Sequence, residues 1–229
     1  MLATFTFKDF KSFREARLPL GPLTVLIGAN AAGKSNAIEA LRLLSWLAQG
    51  QKLSSIQYAV NSADQVVRGR VEDLCHRGHS QFGLGCVTDD SHWNRLNMQI
   101  SIRESELHIS AEKVDEIFAT VPLYDMDQPS KGLSTDAGVA YTNFARGGNK
   151  PHVTVSDQMA VFVQFESAVR FEAGHKKAQE TVPEVDAGPR FVWPRSAGAS
   201  SVITAASNAF AVATARTQQV SATTHQVTP

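Results

Sequence analysis

The stretch LTVLIGANAAGKSNAIEALRLL, residues 23–44, decides the fold class. Residues 23–27 form an apolar run of the kind that makes a central strand buried on both faces. A glycine-bounded loop follows. Beyond it Ala37, Leu41, Leu44 and Ala48 fall at helical spacing, with Ile38 widening the same face, and Gly50 supplies a C-terminal stop. Strand, loop and helix in this order are the anatomy of a phosphate-binding loop.

The loop meets the pattern G-x-x-x-x-G-K-[ST] at Gly28, Gly33, Lys34 and Ser35. Gly28 lets the chain leave the strand in a tight turn. Gly33 lets the backbone approach phosphate oxygens closely. The amide N–H groups of Asn30, Ala31, Ala32, Gly33, Lys34, Ser35 and Asn36 then point inward, and the helix adds the positive end of its dipole. Lys34 is placed to reach the β- and γ-phosphates of a nucleotide. Ser35 is placed to ligate Mg²⁺, which keeps most of its other ligands as water and phosphate.

Outward from the loop, residues 2–7 alternate with Phe5 and Phe7 on one face, and Ala16, Leu18 and Leu20 alternate after them. Gly21-Pro22 turns the chain into the apolar run. Residues 60–74 read as a further helix. The period then becomes two: Phe82, Leu84 and Cys86; Leu96, Met98 and Ile100; Leu107 and Ile109 with His108 between them. Polar turns separate these runs, which makes an antiparallel meander. Residues 125–151 read as loop and residues 153–165 as strand. From Ala187 onward there is no Asp, Glu or Lys, and the composition shifts to Ala, Ser, Thr and Val. Two readings of residues 186–229 stand: a low-complexity tail, or translation out of frame after about Val185. Residues 1–185 are the folded part on either reading.

The chain has 229 residues, 43% hydrophobic and 19% charged, with a formal net charge of zero. That composition is globular, and it argues against an overall electrostatic drive to nucleic acid or anionic membrane. Two cysteines are too few for a disulfide framework. The N-terminal segment lacks a signal-peptide core, and no apolar run approaches the roughly 18 residues of a membrane span. A cytoplasmic protein with no membrane partner is expected.

The sequence FTFKDFKSFREARLPLGP followed by LTVLIGANAAGKSN resembles the opening of ABC-type ATPases of the SMC/RecF/OLD group. Phe10, Lys11, Ser12 and Phe13 match the group's segment between its first two strands. Gly28, Asn30, Gly33, Lys34, Ser35 and Asn36 match its loop. The resemblance is close over residues 1–50 and looser to about residue 120. One departure is Ala31, where the group commonly has glycine. The resemblance implies an α/β fold, an incomplete P-loop NTPase head whose parallel central sheet begins at residues 23–27, beside an antiparallel β subdomain. It places Lys11, Ser12 and Arg14 near the ribose and base. It also implies a second ATPase head, and a DNA-linked or antiphage-defence partner.

Such ATPases also need a signature helix, a Walker B strand ending in Asp-Glu and a switch histidine. MAVFVQFE ends in Glu166, but Gln164 interrupts it and no Asp precedes the Glu. KGLSTDAG has no Gly-Gly, and the Gly-Gly of ARGGNK follows no Leu-Ser. Without the metal-holding Asp and the water-activating Glu, phosphates can be cradled while hydrolysis stays very slow. ATP binding, with hydrolysis only when a C-terminal half is supplied, is therefore expected. The alternatives are a non-catalytic nucleotide-binding module completed by a partner chain and an inert truncated product.

Weaker patterns favour structural roles. Cys75, His76, His79, Cys86 and His92 do not have a zinc spacing, and Cys86 sits on the apolar phase of its strand. Gln81 reads as a surface residue rather than a magnesium-sensing glutamine. Arg68, Arg70, Arg77, Lys176 and Lys177 read as a solvated face rather than a DNA contact, and Trp46 as packing.

Overall fold

The computed structural model describes residues 2–56, 66–145 and 150–187. A hairpin of β1 (Leu2–Phe10) and β2 (Phe13–Pro19) opens the chain, and α1 (Lys34–Ala48) follows the glycine-bounded loop. The meander comes next: β3 (Gln81–Thr88), β4 (Arg95–Arg103), β5 (Glu106–Asp115), β6 (Tyr124–Gln128), β7 (Asp136–Tyr141) and β8 (His152–Ser156). A one-turn helix, α2 (Val161–Gln164), and α3 (Lys176–Ala187) complete the described part. The strands form one sheet in the order β2-β1-β3-β4-β5-β6-β7-β8. Every neighbouring pair in it is antiparallel.

Cross-strand register explains the core. Leu18, Phe5, Cys86, Leu96, Val114, Tyr124 and Tyr141 stand opposite one another in a continuous row across seven strands. From Phe5 to Tyr141 every member of that row is buried. Cys86 therefore lies deep in the sheet, and burial pushes its thiol up to about 12. On α1 the buried stripe is Ala37, Ala40, Leu43, Leu44 and Leu47, with Leu41, Trp46 and Ala48 partly covered. That is a rotation from the face expected at Ala37, Leu41, Leu44 and Ala48. The helix ends as its sequence implied, with the Gly50 amide bonded to Leu47 O at 3.0 Å and Gly50 at φ 77°. A second aromatic cluster, Tyr124, Phe165, Phe171 and Tyr141, seats the α2–α3 region on β6 and β7.

Four expectations need correction. The parallel central sheet is not formed among the described residues. Residues 23–27 pair with no strand, and Leu23, Val25 and Ile27 are 73%, 44% and 85% exposed. The expected helix at 60–74 appears, among the residues described there, only as a 3₁₀ turn at Val71–Leu74. Residues 125–151 are not all loop, because they contain most of β6 and all of β7. Residues 153–165 are not one strand, since β8 stops at Ser156 and α2 begins at Val161. Residues 188–229 lie outside the described part, so the two readings of the tail are untouched.

One buried acid shows how register overrides local pattern. In β5, Ile109 faces Ile100 and Ala111 faces Gln99, which leaves Ser110 as an extra residue. The bulge flips the alternation. Glu112, opposite Met98, thus turns onto the core face with Leu107 and Ile109. There it is fully buried and accepts hydrogen bonds from the Val161 and Phe162 amides at 2.8 and 3.0 Å and from the Tyr124 hydroxyl at 2.9 Å. Burial raises its pKa, the three donors oppose the rise, and the balance is about 7 against an ordinary 4.5.

A carboxyl whose pKa is raised on folding stabilises the protein below its unfolded pKa, and that stabilisation is lost as pH climbs through the folded value. Unfolding free energy, measured by urea titration, is expected to fall by about 3 kcal/mol between pH 4.5 and pH 8 through this group. Glu112→Gln should flatten that slope. An unchanged slope in the variant would place the pH dependence elsewhere.

Candidate nucleotide-binding site

The loop enters α1 through Gly33, which sits at the helix N-cap in the left-handed region with φ 86° and ψ 1°. The conformation alone favours glycine. Space requires it as well, because a Cβ there would stand 2.6 Å from the Phe13 ring and 3.1 Å from Ser12 Oγ. Ala31 also has positive φ, 67°. This is the position where the resembling ATPases commonly carry glycine, and the backbone shows why. Gly28 has no such constraint, since a Cβ there would meet only Ala32 Cβ at 3.7 Å.

Lys34, the first residue of α1, folds back over the loop. Its ammonium donates to Gly28 O and Ala29 O, each at 2.6 Å. Its charge is thus held against the carbonyls that open the loop. Ser35 is exposed on the first turn of α1, and Asn30 is exposed on the loop. Asn36 Nδ2 donates to Ser12 Oγ at 2.8 Å, tying the helix to the β1–β2 turn. A backbone bond from Ala32 N to Ala29 O at 3.2 Å closes the loop on itself.

Lys11 takes a different position from the one implied for a ribose or base contact. Its ammonium pairs with Glu39 and donates to Arg68 O at 2.8 Å. Glu39 is buried on α1 and also accepts from the Arg68 amide at 3.0 Å and from Arg68 Nε. Burial by itself would raise the Glu39 pKa. The bonds from Lys11 and Arg68 outweigh it and hold the carboxyl below its ordinary value. Arg14 is exposed on β2. Sequence reasoning passed over Glu39 because it lies off the apolar stripe of α1. The available signal was its spacing: Gly33, Asn36 and Glu39 follow one another at intervals of three, along one side of the helix.

The remaining candidates disperse. His76 Nδ1 lies 2.8 Å from Lys11 O, His79 pairs with Asp9 and His92 with Glu116. Cys75 bridges to Phe10 and is buried, its thiol raised to about 11. Among the described residues no group of three or more His, Cys, Asp or Glu could hold a metal ion. Gln81 is exposed at the start of β3. Lys177 stacks over the Phe144 ring at 4.6 Å. Gln164, in the segment scanned for a Walker B strand, bonds both backbone groups of Ser156 from within α2. No described helix is long and apolar enough to cross a membrane.

A protein-family model described as "AAA domain, putative AbiEii toxin, Type IV TA system" matches residues 23–93. The DNA replication and repair protein RecF of Chlamydia muridarum is 28% identical over 119 residues, 51% of this chain and 28% of the relative. RecF of Caulobacter vibrioides is 51% identical over 45 residues, 19% of this chain and 12% of the relative. Over the N-terminal region, and at partial identity, these likenesses support an ABC-type P-loop ATPase of the RecF/SMC group. The aligned segments span less than a third of either curated relative.

Two substitutions test the loop's backbone. Gly33→Ala should lower unfolding free energy by about 2 kcal/mol or more, from left-handed strain and the collision with Phe13. Ala31→Gly should raise it by about 0.5–1 kcal/mol by relieving the strain at φ 67°. Urea titration at pH 7 reads both, and a neutral Gly33→Ala would contradict this geometry.

Proposed function

We propose that the loop of residues 28–36 binds the phosphates of ATP with Mg²⁺. The observation that carries this reading is the left-handed Gly33 at the head of α1, with the Lys34 ammonium folded over the carbonyls of Gly28 and Ala29. In this reading the arriving phosphates take Lys34 from those carbonyls, and the amides of residues 30–36 turn to the phosphate oxygens. The exposed Ser35 hydroxyl on the first turn fits a magnesium ligand, with phosphate and water supplying the rest. The ion neutralises charge on the β- and γ-phosphates when bound.

Turnover in the chain alone is not expected. The apolar residues Leu23, Val25 and Ile27 lie open beside the loop, and a strand-bearing complement is proposed to cover them. Burying each contributes about 1.5–3 kcal/mol. That complement, a C-terminal half or a partner chain, would bring the acidic residues that hold magnesium and activate water. A non-catalytic nucleotide-binding module completed in this way is the second reading, favoured by the same open residues. The RecF relatives are named for DNA replication and repair, and a DNA-linked role for the completed ATPase is proposed on that likeness.

Calorimetric titration of the chain with ATP and Mg²⁺ should show saturable binding that Lys34→Ala weakens by at least about tenfold, the scale of a lost charge-assisted contact. Phosphate release should show no turnover that Lys34→Ala abolishes. Absence of binding would overturn the nucleotide reading. Robust Lys34-dependent turnover would overturn the need for a complement.

A further inference from the structure

Three consecutive residues of the β1–β2 turn meet three residues spaced along α1. Lys11 pairs with Glu39, Ser12 Oγ accepts from Asn36 Nδ2 at 2.8 Å, and the Phe13 ring stands where a Gly33 side chain would be. The contacts run antiparallel, 11 to 39, 12 to 36 and 13 to 33, so the turn lies like a clasp along the first two turns of the helix. Phe13 is braced from behind by Phe7, with ring centroids 4.7 Å apart. The deepest tooth of the clasp is the buried Glu39 carboxylate, which holds Lys11 and also draws in the Arg68 amide and guanidinium. Lys11 itself has φ 48°, a conformation that costs an L-residue energy and persists only when its surroundings fix it.

From this arrangement we infer that Glu39 is a positioning residue of the phosphate-binding loop. Its hydrogen bonds go to Lys11 and Arg68 rather than to the loop. By gripping Lys11 it seats Ser12 and Phe13 against Asn36 and Gly33, and this contact sets the pitch of the amides that open α1. Removing the carboxylate releases two cations and the turn together. Gly33 then loses the ring packed against it, and the loop spends more of its time in shapes that do not fit phosphate. The inference rests on the reading that this loop binds nucleotide, and it assigns Lys11 an indirect role in place of a ribose or base contact.

The test is calorimetric titration of the full chain with ATP and, separately, with pyrophosphate, both with Mg²⁺. Pyrophosphate reaches the loop and has no ribose or base. Glu39→Gln and Lys11→Met should each weaken both ligands by about tenfold, as expected for a lost charged hydrogen bond. The double variant should be no weaker than the weaker single, because both act through one link. Arg95→Met, which breaks the Arg95–Asp115 pair on the meander, controls for lost stability and should leave both affinities unchanged. Unchanged affinity in Glu39→Gln overturns the inference. So does a loss confined to ATP, which would make Lys11 a direct contact, or a double variant whose factors multiply. If Glu39→Gln does not fold, Ser12→Ala carries the test. It removes only the bond from Asn36 and should weaken both ligands about threefold, and no change would overturn the inference. A wild-type chain that binds neither ligand overturns the nucleotide reading itself, which separates the two failures.

Discussion

The buried carboxylate of Glu39 is the constraint on which the site depends. Three segments far apart in sequence meet on it: the β1–β2 turn through Lys11, the helix after the loop, and the strand-free stretch at Arg68. A carboxylate removed from water is costly unless paired and hydrogen-bonded. Here it accepts from an ammonium, a guanidinium and a backbone amide. The same pairing sets its acid limit. A carboxyl held below its ordinary pKa contributes stability above its unfolded pKa and loses it as pH falls through the folded one. Glu112 behaves in the opposite sense, since burial wins there, and its window lies between its ordinary 4.5 and about 7.

The antiparallel sheet and the loop stand in an unusual relation. The sheet is complete in its own register and has a continuous core row from β1 to β7. The segment that feeds the loop takes no part in it. Residues 23–27 have the composition of a strand buried on both faces, yet they carry no ladder among the described residues, and three of the five side chains are well exposed. Exposed apolar side chains on an unpaired backbone are a template for association. The loop is nonetheless shaped from the other side, by the β1–β2 turn and α1. The proposed phosphate cradle therefore rests on the antiparallel half, and the proposed engine on what covers residues 23–27.

Much of this was legible in sequence. The G-x-x-x-x-G-K-S spacing located the loop and the start of α1, and period-two alternation located β3, β4 and the first half of β5. What escaped had physical causes. The strands β6 and β7, YDMDQ and DAGVAY, are short and mostly polar or small, so their pairing is set by neighbours and not by their own pattern. The apolar residues 160–163 continue a strand-like pattern. They turn helical where Glu112, 49 and 50 positions earlier in the chain, accepts from the Val161 and Phe162 amides at the start of α2. His108 sits between two apolar residues of the alternating run, and it too is buried, against Asp157 at 2.9 Å. Glu39 and Glu112 look like surface acids in sequence. Only the fold brings Lys11, Arg68 and the α2 amides to them.

The most direct test of the central claim is amide hydrogen exchange across residues 23–36, with and without ATP and Mg²⁺. A loop formed on the antiparallel half predicts that the amides of residues 29–36 slow markedly when nucleotide is added. It also predicts that Val25 and Ile27 exchange fast in both states, because no strand pairs with them. Loop amides indifferent to nucleotide, or Val25 and Ile27 amides already protected in the chain alone, would contradict it.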